Sequence, residues 1–132
     1  MHIWDTGGHE RFRSMINMYY RDAIGAIICY DLSNEASFKS VEYWVNEMKA
    51  NTTADQDGFI MALCGNKCDI PIEQRRIDHA RSTEYARENK MIWSEVSAKE
   101  GTGIEQMFKT VAEKVCTIKS KSRQGGGASN AF

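Results

Sequence analysis

Two short apolar runs, Ala23 to Tyr30 and Phe59 to Cys64, separated by a stretch of different periodicity, constrain this chain more than any other feature. Within the first, Gly25 to Asp31 (Gly-Ala-Ile-Ile-Cys-Tyr-Asp) is apolar almost without interruption, the pattern of a β-strand buried on both faces. From Ser33 or Asn34 to about Ala50, Phe38, Val41, Trp44, Val45 and Met48 recur at helical spacing and form one apolar stripe. Further on, Asp78 to Asn89 is rich in helix formers and Met91 to Glu95 has strand character. Ile104, Met107, Phe108, Val111 and Val115 then define a closing amphipathic helix. At the start, His2 to Trp4 reads as the end of another strand, followed by a polar loop from Asp5 to Asn17 and a helical turn ending near Arg21. Strands alternating with helices predict an α/β fold, a parallel sheet with helices on both faces.

Composition narrows the function classes. At 132 residues the chain suits one domain with a real core. Its 17 basic and 18 acidic residues leave a formal charge of −1, so no basic footprint points to nucleic acid. Neither apolar run approaches the roughly 20 residues that a membrane-spanning helix needs. Met1-His2-Ile3-Trp4-Asp5 has the character of neither a signal peptide nor a transit peptide, which makes a cytoplasmic location the expectation. Cys29, Cys64, Cys68 and Cys116 are scattered, mostly in apolar surroundings, and the histidines at 2, 9 and 79 are dispersed, so no zinc-type ligand spacing emerges. From Ser120 the composition turns to Lys, Ser, Arg and Gly, and the expected organisation is one domain over residues 1–118 with a flexible tail over 119–132.

The chemistry concentrates in Gly65-Asn66-Lys67-Cys68-Asp69, directly after the second apolar run. A carboxylate at Asp69 can accept two hydrogen bonds at once, from a ring N–H and an exocyclic amine, and among the purines only guanine presents both on one edge. Asn66 would brace the loop, and the stem of Lys67 would lie along the face of the ring. Asn and Asp are also ordinary turn residues, so these positions alone fit a polar turn equally well. Two other motifs follow predicted strands: Trp4-Asp5-Thr6-Gly7-Gly8-His9-Glu10-Arg11-Phe12-Arg13 and Ser97-Ala98-Lys99. All three therefore fall at the strand ends where open α/β sheets bind their ligands.

In this order and spacing the three motifs resemble those of a small GTPase. Glu10 to Arg13, Met18-Tyr19-Tyr20-Arg21, Tyr30-Asp31-Leu32 and Gly65 to Asp69 resemble the Rab branch. The resemblance runs from His2 to about Thr117. It implies a P-loop NTPase fold that binds GTP or GDP with Mg²⁺, a role in vesicle traffic at endomembranes, and exchange factors, activating proteins and effectors as partners. Asp5 would hold Mg²⁺ through water, the Gly8 amide would sense the γ-phosphate, and Asn66, Lys67, Asp69, Ser97, Ala98 and Lys99 would surround the base. Trp4 and Tyr19 match aromatics on which Rab proteins present their effector surface.

The chain also departs from that pattern. His9 stands where the family usually carries the Gln that orients the attacking water, so slow hydrolysis is expected. The 132 residues contain no Gly-x-x-x-x-Gly-Lys-Ser/Thr, and the expected fold is an incomplete one lacking the first strand, first helix and second strand. Charge-assisted hydrogen bonds contribute roughly 1.5–3 kcal/mol each, so losing about four costs on the order of 8 kcal/mol, the interval between nanomolar and millimolar binding. Ala128-Ser129-Asn130-Ala131-Phe132 holds no cysteine for prenylation, and Cys116 falls within the last helix. Three readings stay open: part of a Rab-like GTPase, a non-catalytic module that engages Rab regulators or effectors, and a truncated product without function.

Overall fold

The computed structural model describes residues 2–5, 22–52 and 58–127. Among them the elements run β1 (Gly25–Asp31), α1 (Glu35–Asn51), β2 (Ile60–Asn66), a short 3-10 turn (Ile72–Gln74), α2 (His79–Glu88), β3 (Ile92–Glu95) and α3 (Ile104–Gly127). The sheet order is β1-β2-β3, with both pairs parallel. Parallel neighbours cannot be joined by a hairpin, so α1 and α2 serve as the two crossovers. Each begins on a side-chain cap: Asn34 accepts from the Ser37 N–H at 3.1 Å, and Asp78 from the Arg81 N–H at 2.7 Å.

Helices cover both faces of the sheet, as its alternating pattern requires. On one face Ile28, Tyr30 and Leu63 pack with Phe38, Val41 and Val45 of α1 and Ala86 of α2. The Tyr30 and Phe38 rings meet edge to face at 5.0 Å, and Phe38 meets Tyr85 in the same way at 5.9 Å. On the other face Cys64, Val96 and Met107 form a smaller cluster with Ile27, Ile104 and Phe108, the contribution of α3. All five residues of the α1 stripe lie in or against the larger cluster.

Two expectations need correction. Residues 2–5 are exposed and belong to no strand: none of them pairs with β1, β2 or β3. β1 is buried on one face only: Ile28 and Tyr30 are inside, whereas Ile27 is half-buried and Cys29 is exposed. The strand buried on both faces is β2, where Ala62, Leu63, Cys64 and Gly65 are all covered because neighbouring strands and both helical layers converge there. Across the composition change at Ser120, α3 continues to Gly127. Lys, Ser, Arg and Gln are compatible with helix, and the Ser120 and Ser122 hydroxyls donate to the Cys116 and Ile118 carbonyls. What ends there is packing, for residues 119–124 are all exposed. The expected loop and helical turn over 6–21 lie outside the described residues.

Gly65 is the closest approach in the sheet. A Cβ placed on it would sit 2.7 Å from Tyr30 Oη and 2.9 Å from Tyr30 Cζ, and the Tyr30 ring, 2% exposed and braced by Phe38, has no room to retreat. Gly65→Ala is expected to destabilise the fold by about 1–3 kcal/mol through overpacking. The urea midpoint should fall at unchanged slope, and Tyr30→Phe in the same background should recover part of the loss. A Gly65→Ala midpoint equal to that of the parent would refute the close-packing argument.

Candidate functional site

β2 and β3 end side by side, and the loops that leave them build the site. At Lys67 the chain turns out of β2 with φ +69°, a left-handed conformation that costs a lysine roughly 1–2 kcal/mol. Four contacts hold that turn. The Lys67 N–H donates to Asn66 Oδ1 at 2.8 Å and the Ile70 N–H to the Lys67 carbonyl at 3.1 Å. Lys67 Nζ pairs with Asp31 Oδ2 at 2.7 Å, while the Cys68 N–H donates to the Val96 carbonyl at 2.9 Å. From beneath, Arg75 donates through Nη2 to the Cys68 carbonyl at 2.9 Å and through Nη1 to Glu95 Oε2 at 3.1 Å, tying the loop to β3.

The second loop closes on itself. The Ser97 N–H donates to the Thr102 carbonyl at 3.0 Å, and the Gly101 N–H to the Ser97 carbonyl at 2.7 Å. Gly101 (φ +78°) and Gly103 (φ +74°) take the left-handed positions this turn needs.

Two side-chain bonds join the loops. The buried Ser97 hydroxyl donates to Asp69 Oδ1 at 2.7 Å while accepting from the Glu100 N–H at 3.1 Å. Asn66 Oδ1 accepts from the Ala98 N–H at 3.0 Å. The Ser97 hydroxyl is the main reason that Asp69 lies below the ordinary carboxylate range, with the Lys99 and Lys67 charges adding to it, so Asp69 is ionised at neutral pH. A carboxylate offers about four lone-pair sites, and one bond from Ser97 leaves capacity for a bidentate donor edge. The Ala98 N–H is engaged by Asn66, so an incoming carbonyl would share or replace that acceptor.

Asn66, Lys67, Asp69, Ser97 and Ala98 are therefore brought together, with Lys99 exposed beside them. Asp5 and Trp4 lie in the exposed residues 2–5, and Gly8, His9 and Tyr19 fall outside the described residues. Among the described residues no group of three or more His, Cys, Asp or Glu side chains converges as a metal site. Sequence reasoning did not assign Asp31, Arg75 and Glu95 to this site. Asp31 carried a partial signal, a carboxylate at the end of a strand, and it is the register partner of Asn66. Arg75 and Glu95 carried none, because a bond across twenty residues leaves no local spacing to notice.

Comparison with known proteins agrees with the geometry. A family model described as the Ras family matches residues 1–117. The chain is 35% identical over 130 residues to GTP-binding protein ypt5 of Schizosaccharomyces pombe, covering 98% of this chain and 60% of that protein. It is 36% identical over 124 residues to Ras-related protein RABF2a of Arabidopsis thaliana, covering 94% and 60%. To Ras-related protein Rab-5B of Plasmodium falciparum it is 40% identical over 115 residues, covering 87% and 53%. The chain belongs to the Ras family, as a small GTPase of the Rab type. It spans about 60% of the length of the first two of these relatives.

Burial pushes the Asp31 carboxyl upward, but hydrogen bonds from Lys67 and Ser33 outweigh it and hold the group below its ordinary value. A depressed carboxylate stabilises the fold above the unfolded pKa, about 3.9 for Asp, and that contribution disappears as pH falls through the lower folded value. Lys67 is half exposed, so screening keeps the pair's contribution at roughly 0–1 kcal/mol. Lys67→Met should raise the Asp31 pKa in a carboxyl NMR titration and flatten the loss of stability below about pH 4. An unchanged Asp31 titration would show that the pair does not hold the carboxylate.

Proposed function

We propose that the loops after β2 and β3 form the guanine-recognising part of a GTP-binding site. Asp69 accepts from the ring N–H and exocyclic amine of the base, and the Ala98 N–H donates to its keto oxygen. The stem of Lys67 lies along the ring, and Asn66 and Ser97 keep acceptor and donor at a constant separation. The observation that carries this reading is the pair of bonds Ser97–Asp69 and Asn66–Ala98, which place an ionised acceptor and a backbone donor on adjacent, mutually braced loops.

When bound, GTP with Mg²⁺ would supply the phosphoanhydride whose cleavage switches such proteins between two states. On this reading Asp5 would hold the metal through water, the Gly8 amide would meet the terminal phosphate, and His9 would stand in for the residue that orients water. Neutral imidazole splits donor and acceptor across a ring where a carboxamide holds both on one group, so hydrolysis is slow. With no Gly-x-x-x-x-Gly-Lys-Ser/Thr in the 132 residues, phosphate contacts add little and the chain by itself binds nucleotide weakly. The cellular role we infer is in vesicle traffic, from the cytoplasm at endomembrane surfaces, through exchange factors, activating proteins and effectors. No helix among the described residues is long and apolar enough to cross a membrane.

The test uses nucleosides, which isolate the base. In an NMR titration of the 132-residue chain, guanosine should shift the amides around Asp69 and Ala98 and adenosine should not. Asp69→Asn turns one acceptor into a donor, so it should weaken guanosine by at least about tenfold, or about 1.4 kcal/mol. The same variant should gain affinity for xanthosine, which carries a carbonyl in place of the amine. Equal shifts from adenosine would sink the assignment, and stoichiometric GDP retained by the purified chain would refute weak binding.

A second reading, the interaction module, is favoured by Ile3 and Trp4, which are 63% and 71% exposed. It predicts that the chain binds an effector recognised by a Rab-type relative and that Trp4→Ala lowers this affinity at least about tenfold, as expected for a buried aromatic anchor. Calorimetry showing no binding by the parent chain would remove it.

A further inference from the structure

β1 and β2 place two cysteines side by side. Cys29 and Cys64 are register partners in the parallel pair, so their side chains leave the same face of the sheet. Neighbouring strands lie about 4.8 Å apart, inside the roughly 4.4–6.8 Å range of Cα separations that a disulfide bridges. The two thiols differ in access: Cys29 is exposed, whereas Cys64 is buried against Val96 and Met107. Neither belongs to the base-recognising loops, although each precedes by two positions a residue of the site, Asp31 or Asn66.

The geometry points to a dithiol redox site in which a hydroperoxide oxidises the exposed Cys29 and the buried Cys64 closes a reversible Cys29–Cys64 disulfide. The Cys29 thiolate attacks the terminal peroxide oxygen. An S–O bond forms as the O–O bond breaks, and the leaving alkoxide or hydroxide takes a proton to become alcohol or water. Sulfur is oxidised to the sulfenic acid while the peroxide is reduced. Cys64 then gives up its proton and attacks the Cys29 sulfur, so that an S–S bond forms and the hydroxyl departs as water. The net change consumes two thiols and one hydroperoxide and yields one disulfide, one alcohol or water, and one further water.

The environment suits this division of labour. The neighbouring Cys64 thiol brings Cys29 down to about 7, outweighing partial desolvation and the nearby Asp5 charge, and so favours its thiolate. Cys64 is pushed up by its hydrogen bond with Cys29 and by burial, and stays a thiol until its neighbour is oxidised. An accessible, acidic cysteine beside a resolving one is the arrangement that oxidises selectively. Cys116, also exposed, lies on α3 and is not in register with either thiol.

The experiment treats the reduced 132-residue chain with hydrogen peroxide at neutral pH and maps its peptides by mass spectrometry without reduction. The expected product is monomeric, lighter by two hydrogens, with the Cys29 and Cys64 peptides linked and released by dithiothreitol. Cys29→Ser should abolish the link. Cys64→Ala, a small apolar replacement suited to the buried position, should leave a sulfenic acid at Cys29 that dimedone traps. Cys116→Ser should change nothing. A disulfide joining Cys29 to Cys116, linkage only between molecules, or oxidation of Cys29 to the sulfinic acid with Cys64 still a free thiol would each overturn the proposal.

Discussion

The parallel pairing of β2 with β3, from Ala62↔Ile92 to Gly65↔Glu95, is the constraint on which the rest of the site depends. Because the strands run the same way, both leave the sheet at one end, and their loops become neighbours although they are 28 residues apart at Asp69 and Ser97. The ladder continues beyond the strands: the Val96 N–H donates to the Gly65 carbonyl at 2.8 Å, and the Cys68 N–H to the Val96 carbonyl at 2.9 Å. A one-residue slip would turn every core side chain of β3 to the wrong face and carry Ser97 away from Asp69.

Beneath that ladder, Arg75 converts a pairing of strands into a positioned loop. Its guanidinium spans Glu95 on β3 and the Cys68 carbonyl, a fork that a planar, always charged group can make and a lysine cannot. Taking such a pair partly out of water contributes little net stability. Arg75 Nε and Glu95 Oε1 are buried without a hydrogen-bond partner among the described residues, which adds to the desolvation cost. The geometric result is that the chain between Lys67 and Asp69 is held from below by Arg75, from the side by Ser97 and from β1 by Asp31.

The elements most legible in the sequence were those whose signal is local. The α1 stripe of Phe38, Val41, Trp44, Val45 and Met48 repeats at a helical period, and that period alone predicts its helix. The apolar run Gly25–Asp31 matched the strand residue for residue, yet its burial did not follow. Whether Cys29 is covered depends on where α3 crosses the sheet, and α3 packs over β2 at Cys64, with Ile27 of β1 and Val96 beside it. His2–Trp4 failed as a strand for the same kind of reason, since strand character becomes a strand only where a ladder accepts it. At Ser120 composition reported the end of burial, which differs from the end of a helix.

The site divides along the same line. By itself the sequence determined which groups are present: the carboxylate of Asp69, the amide of Asn66, the ammonium of Lys67, the hydroxyl of Ser97, and the helix and strand periods that carry them. Those follow from residue identity and spacing of a few positions. Only the tertiary structure decided which of them meet: Ser97 with Asp69, Asn66 with Ala98, Lys67 with Asp31, Arg75 with Glu95, and Cys29 beside Cys64. Each of these joins segments of chain that touch only after parallel strands have found their register. Register is set by the burial of whole strand faces, and no single residue encodes it.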